Sequence, residues 1–235
     1  MTVFAGIDLA AGAGTTALAT ITTDAGKAVV DIQLDEWQGS HDVLPVIAEA
    51  IIAAKADVIA IDAPLTLPGP VQRALKNAPI SHNDLLSSPY TRAAERDGIW
   101  KKLQLRPLPV SLLAGLTLRA IVLTAYLHQQ LPDIPIIEVF PTGSLAVWGM
   151  RPPRVRGVKG LPKQHELSRA MVQLALRQRF LPLLPSEEVT LLSADVLDAL
   201  VAALTGLEYN QNRFQLIGSP DEGQIVLPVT ADNSE

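Results

Sequence analysis

From Val196 to Leu207 the chain carries one charged side chain, Asp198. Val196, Leu197, Leu200, Val201 and Leu204 recur at helical spacing and form one stripe. Ala199, Ala202 and Ala203 form the opposite face, on the same side as Asp195 and Asp198. A surface helix would show Lys, Glu or Arg there. Alanines predict close packing against a sheet, with Asp195 and Asp198 turned inward at the helix start. The alternative is an exposed aspartate pair favoured by the helix dipole.

The rest of the chain supplies that sheet. Thr2–Leu9 reads as a strand, and Thr15–Thr23 and Ala28–Leu34 follow across glycine-containing turns as an antiparallel meander. Ser40 stands where an N-cap belongs, ahead of Val43, Leu44, Ile47, Ile51 and Ile52 at helical spacing. Val58–Ile61 is a continuous apolar run, the mark of a strand covered on both faces. It ends at Asp62, and Pro64, Pro68 and Pro70 lead the chain out of the sheet. Val110–Gln130 predicts a buried core helix and Ile136–Val139 a strand stopped by Pro141. Lys163–Phe180 predicts an amphipathic helix and Ile225–Leu227 a small terminal strand. Residues 71–109 have no clear period and are read as a lid or insertion. Strands joined through helices should be parallel. The expectation is one domain over residues 1–235, of α/β class with helices on both faces of one mixed sheet.

Composition narrows the chemistry. The 235 residues include no cysteine, which excludes a disulfide scaffold, a thiolate zinc site, an iron–sulfur cluster and a cysteine nucleophile. An apolar content of 48% excludes a disordered chain. Met1–Asp8 has no basic start followed by an apolar run, so no secretory leader is expected and a cytoplasmic protein is. Val110–Leu127 imitates a membrane span, but a central Arg119 costs about 2.5–3.5 kcal/mol there, so no membrane is expected.

The net charge of −5 is unevenly spread. Residues 1–70 hold 2 basic and 9 acidic side chains, residues 71–180 hold 16 and 6, and residues 181–235 hold 1 and 9. The densest basic run is Arg151, Arg154, Arg156, Lys159 and Lys163, with no acid among them. Its prolines and glycines make residues 150–162 a loop. A basic loop suits a phosphate backbone; a solvated surface loop is the plain alternative.

Chemistry, if present, lies in carboxylates set in apolar surroundings. Asp8 interrupts the first strand, Asp62 ends the fourth, Glu138 sits inside Ile136–Phe140, and Asp195 and Asp198 share a helix face. A buried carboxylate takes up a proton or finds a cation. Each also has a plain explanation: turn or cap for Asp8 and Asp62, a structural Arg partner for Glu138. Acids converging on strand ends would make an oxygen-ligand site for Mg²⁺ or Mn²⁺. Two such ions can activate water and stabilise the leaving oxygen in phosphodiester hydrolysis. His41, His82, His128 and His165 show no ligand spacing.

The segments Gly6–Leu9, Ile59–Pro64 and Ser193–Ala199 resemble the RNase H-like superfamily, the last matching the D-x-x-D-A final-helix pattern of RuvC-type resolvases. The whole chain resembles the predicted RNase H-like nucleases (domain of unknown function 429), through Thr91–Arg96, Ile137–Pro141 and Gly218–Ile225 as well. The resemblance implies an RNase H-like fold with a five-stranded mixed sheet, antiparallel meander then parallel strands. It implies Asp8, Asp62, Asp195 and Asp198 as catalytic metal ligands, and Glu138, in its matching Ile137–Pro141 segment, is taken as a further metal ligand. Asp62 departs from the Glu usual in resolvases and has a shorter reach. Arg92 joins Arg151, Arg154, Arg156, Lys159 and Lys163 as substrate contacts. The implied activity is metal-dependent cleavage of DNA or RNA, with a homodimer as an option. A non-catalytic nucleic-acid-binding scaffold and a small-molecule hydrolase remain alternatives. An actin-like ATPase or kinase would use Gly12–Thr16 as a phosphate loop, but the fold duplication usual there is absent.

Overall fold

A computed structural model describes residues 1–12, 14–24, 28–38, 43–86, 89–150, 166–180 and 191–229. The chain runs β1 (Thr2–Asp8), β2 (Thr15–Asp24), β3 (Ala28–Gln38), α1 (Val43–Ala54) and β4 (Val58–Asp62). The short helices α2 (Gly69–Leu75), α3 (His82–Leu86), α4 (Ala93–Arg96) and α5 (Ile99–Lys102) occupy the stretch that showed no period. Then come α6 (Ala114–Gln130), β5 (Ile136–Val139), α7 (Pro141–Val147), α8 (Glu166–Arg179), α9 (Ala194–Asn210), β6 (Phe214–Ser219) and β7 (Gly223–Pro228).

The strands form one mixed sheet in the order β3-β2-β1-β4-β5-β7-β6. β1, β2 and β3 are the antiparallel meander, while β1–β4, β4–β5 and β5–β7 are parallel. The expected five strands are therefore corrected to seven. Ile225–Leu227 is the middle of β7, and β6 pairs antiparallel with it at the sheet edge. β6 leaves no sequence pattern because it is an edge: of its six residues only Ile217 is buried. Ser40, expected as an N-cap, lies outside the described residues, as does the start of the Lys163–Phe180 helix.

Side chains alternate across a strand, so each central strand feeds two cores. Phe4, Ala19, Ile21, Val58 and Ala60 pack with α9. Ala5, Ile7, Leu18, Ile59 and Ile61 pack on the other side with α1 and α6. The continuous apolar run of β4 is the sequence record of that double burial. A third cluster, with Trp100, Ile217 and Leu227, ties α5 to β6 and β7.

α9 is buried from Val196 to Glu208, as its alanines predict. The closest approach is at Gly6. A Cβ added there would lie 2.2 Å from both the Ala199 carbonyl oxygen and the Ala203 nitrogen. α6 corrects the expectation of a buried core helix. It buries Thr117, Ala120, Leu123 and Leu127 but exposes Leu118, Val122 and Tyr126.

Gly6→Ala should push α9 off the sheet and cost about 1–3 kcal/mol or more, as overpacking does. Urea unfolding checks this; an unchanged midpoint would contradict the packing described.

Candidate active site at the carboxyl ends of the parallel strands

Parallel strands end on the same side of a sheet, so their last residues gather at one edge. Asp8 ends β1 and Asp62 ends β4, and the two are direct register partners. Adjacent strands lie about 4.8 Å apart, so these carboxylates leave the same pleat side by side. Both are half-buried. The Ala10 N–H donates to Thr16 Oγ1 at 3.0 Å, closing the turn that follows Asp8. Two carboxylates this near, partly withdrawn from water, form an anionic pair of the kind that can hold a hard cation.

α9 runs antiparallel to β1. Its Gly206 lies near Val58, Ala60 and Phe4, and its Ala199 near Gly6, so its first turn lies toward Asp8. Ser193 caps it, accepting from the Val196 N–H at 3.1 Å and donating to Glu36 Oε1 at 2.9 Å. Glu36 is registered with Ala17, and Ala17 with Asp8. Asp195, half-buried, and Asp198, buried, therefore start the helix near the level of Asp8.

A cleft of about 200 Å³ opens at the strand ends. Asp8, Asp62, Arg92, Glu95 and Glu138 line it, with an apolar wall that includes Leu108, Leu113, Leu116 and Phe140. Asp195 and Asp198 are not part of that lining. Among the described residues, no group of three or more His, Asp or Glu side chains is placed to hold one metal ion. The five expected acids thus divide. Asp8, Asp62 and Glu138 share the cleft, and the α9 pair stands outside it.

Glu138 is also distinct from the aspartates. It is registered with Ile61, one residue before Asp62, so alternation sends its side chain to the other face. There it meets Arg92, which is fully buried. Arg92 Nη1 donates to Glu138 Oε2 at 2.7 Å and to Thr66 Oγ1 at 3.0 Å. Nη2 donates to Glu138 Oε1 and Glu95 Oε1, both at 2.5 Å, and Nε to Glu95 Oε1 at 2.8 Å. A guanidinium has five N–H donors, and these bonds use all five. Arg92, expected as a substrate contact, keeps none for a ligand. Glu138 Oε2 also accepts from the Leu65 N–H at 2.9 Å. The expected metal ligand is engaged on both oxygens by its own protein.

Burial pushes the Glu138 carboxyl above the ordinary carboxylate range, against the opposing pull of Arg92 and the Leu65 amide. Burial also works against the Arg92 charge, but its bonds to Glu138 and Glu95 outweigh that and hold its proton more firmly than usual.

Two positions that fasten the surroundings of the cleft carry only faint sequence signals. Glu95 stands three residues after Arg92 and returns a bond to its N–H at 2.5 Å, a capping-box spacing with Arg in the capping place. Glu222 accepts from the Gly69 N–H at 3.1 Å and the Ala93 N–H at 2.6 Å, so the β6–β7 turn fastens α2 and α4 together. Arg151, Arg154, Arg156, Lys159 and Lys163 lie outside the described residues.

The sequence profile of a family described as Protein of unknown function (DUF429) matches residues 6–223. The chain belongs to this family. The DUF429 match takes in Asp8, Asp62, Arg92, Glu138, Asp195 and Asp198. No curated protein matches the chain. Among solved structures, Thermus thermophilus RuvC in complex with a Holliday junction substrate is 11% identical, with a TM-score of 0.44 over 95% of this chain and 99% of that one. A second Thermus thermophilus RuvC structure is 13% identical, with a TM-score of 0.43 over 90% and 97%.

Arg92→Met should cost about 3–5 kcal/mol, because it leaves two buried carboxyls without their cation. The cost should grow with pH. A carboxyl whose folded pKa exceeds its unfolded value of about 4.3 lends full stability below that value and loses it as pH rises toward the folded one. Removing the cation raises the Glu138 pKa further and deepens that loss. Urea midpoints measured from about pH 4.5 to pH 7.5 check this; a wild-type-to-variant gap constant across that range would contradict it.

Proposed function

We propose that this DUF429 chain is a metal-dependent phosphodiesterase of RNase H-like fold acting on nucleic acid in the cytoplasm. The observation that carries the reading is the in-register pair Asp8 and Asp62 at the ends of adjacent parallel strands, open to a cleft. The strand order supports the fold assignment. An antiparallel β3-β2-β1 followed by parallel β4 and β5 is the five-stranded core that the motifs imply, with β7 and β6 added at its edge.

The donor set suits a hard cation. Mg²⁺ is commonly held by one or two carboxylates, with water and substrate phosphate completing its shell. Asp8 and Asp62 offer that pair. An ion held there would supply an activated water and charge stabilisation at the leaving oxygen. Asp195 and Asp198, starting α9 near the level of Asp8, extend the anionic edge beside that pair. Glu138, with both oxygens engaged, positions rather than ligates, and the Arg92–Glu138–Glu95 group fixes the cleft wall beside Asp62. Arg151, Arg154, Arg156, Lys159 and Lys163 would hold the phosphate backbone. The apolar wall of the cleft favours one second reading, a small-molecule hydrolase using the same carboxylates.

The test is incubation with labelled single-stranded, duplex and branched DNA, and with RNA, in Mn²⁺ and in EDTA. Cleavage is expected only with metal. Changing a group that merely orients a metal ligand costs 10–100-fold, so Asp62→Asn, which removes a ligand, should cost more than about 100-fold while leaving the fold intact. Undiminished cleavage by folded Asp62→Asn would sink the assignment. Arg154→Ala should weaken nucleic-acid binding and reduce its salt slope by about 1; an unchanged slope would remove the basic loop from the interface.

A further inference from the structure

The parallel ladder between β5 and β7 stops early. Glu138 pairs with Ile225 and Val139 with Val226. The next pair toward the strand starts, Ile137 with Gln224, is not formed, although both residues lie in strands. The sheet is split there, and a cavity of about 430 Å³ occupies the split. It lies at the start of β5, whereas the carboxylate cleft lies at its end, and Glu138 lines both.

The split separates backbone groups that a continued ladder would join. The Ile59 N–H donates to the Pro135 carbonyl at 2.9 Å, so residue 135 turns its carbonyl toward β4. Successive strand residues alternate in this, so Ile136 turns its N–H and C=O toward β7. A continued ladder would bond the Ile136 carbonyl to the Gln224 N–H. Here these two groups, an acceptor and a donor, face each other across the cavity. Thr124, on α6, adds a hydroxyl that is buried and has no hydrogen-bond partner among the described residues. Tyr209 and Phe214, with ring centroids 4.6 Å apart, supply aromatic surface. Among the described residues no Lys or Arg lines the cavity. Its carboxylate, Glu138, has both oxygens engaged by Arg92 and the Leu65 amide.

We propose that this cavity binds an uncharged planar heterocycle carrying a hydrogen-bond donor beside an acceptor, the chemistry of a nucleobase. The donor of the ring would meet the Ile136 carbonyl, its acceptor the Gln224 N–H or the Thr124 hydroxyl, and its face the aromatic pair. Small-molecule sites share this make-up: largely apolar walls, a few convergent polar groups and about 300–1,000 Å³ of space. Other occupants fit less well. A phosphate calls for a cation in the wall, and a metal ion for a free carboxylate oxygen. A purely apolar ligand would leave the backbone pair and the hydroxyl without partners, at a cost in free energy. A peptide strand adds along an open sheet edge, and the Glu138–Ile225 pair closes this opening after two residues. Thr66, in the cavity wall, accepts from Arg92 Nη1 at 3.0 Å, so an occupant rests against the network that fixes the cleft. The inference needs no catalysis in the cleft.

Isothermal titration of the full chain with uracil, uridine, cytidine, adenosine and guanosine tests this. At least one should bind saturably, with a Kd of about 10 µM to 1 mM for a ligand of this size. N-methylation that removes the N–H donor of the tightest binder should weaken it about tenfold. Thr124→Val should weaken it about three- to tenfold without lowering the unfolding temperature, because the hydroxyl has no bond to lose. Leu216→Trp, at an exposed position in the wall, should fill the cavity and abolish binding. Asp62→Asn should bind as the wild type does, which separates this cavity from the cleft. A short oligouridine bound only through a site sensitive to Leu216→Trp, with no free base or nucleoside bound, would show that a strand presents the base. No binding of any base, free or in a strand, overturns the proposal. So does binding indifferent to Leu216→Trp, or nucleoside binding lost in Asp62→Asn.

Discussion

The absence of a side chain at Gly6 sets how near α9 can come to the centre of the sheet. Backbone atoms of Ala199 and Ala203 occupy the space that any Cβ would need. That contact explains the small residues of α9, since Ala199, Ala202 and Ala203 let the helix lie almost on the strands. It also explains where the helix begins. Running antiparallel to β1 from Gly206 beside Phe4 to Ala199 beside Gly6, α9 has its first turn toward the carboxyl end of β1. Asp195 and Asp198 are therefore held at the edge that Asp8 and Asp62 occupy, although they do not line the cleft. Close packing in the core and the placing of acids at the sheet edge are one constraint.

A second constraint organises the other half of the sheet. Glu138 on β5, Arg92 before α4 and Glu95 within it form a buried group of one cation and two carboxyls. Such a group adds little stability over an apolar core of the same shape, but breaking it is costly. Its value here is geometric. Through Thr66, Leu65 and Glu222 it joins the chain leaving β4 to β5 and to the β6–β7 turn. Asp62 stands at the start of that fastened segment. The cleft thus has one wall fixed by hydrogen bonds and another formed by apolar side chains from the start of α6.

What was legible in the sequence follows from burial. β1, β4 and α9 are buried on two sides, and their apolar runs and alanine face announce it. The carboxylates at strand ends were legible because an acid ending an apolar run is conspicuous. The edge strand β6 was not, since solvent on most of its residues removes the pattern. Helix α6 does pack one face into the core, but its outer face is apolar too, so the sequence alone does not show that this face is exposed. The roles of Arg92 and Glu138 depend on a pairing across 46 residues. Nothing local distinguishes such a pair from a substrate contact and a metal ligand. Direction matters as well: Glu138 lies one register step from Asp62, and that single step sends it to the opposite face of the sheet.

The central claim is that Asp8 and Asp62 act as one cation site. The most direct test is a Mn²⁺ titration followed by electron paramagnetic resonance, on the wild-type protein, Asp8→Asn and Asp62→Asn. The wild type should bind Mn²⁺ saturably, each single substitution should weaken binding by more than about tenfold, and Mg²⁺ should compete. Equal Mn²⁺ binding by all three folded proteins would contradict the account.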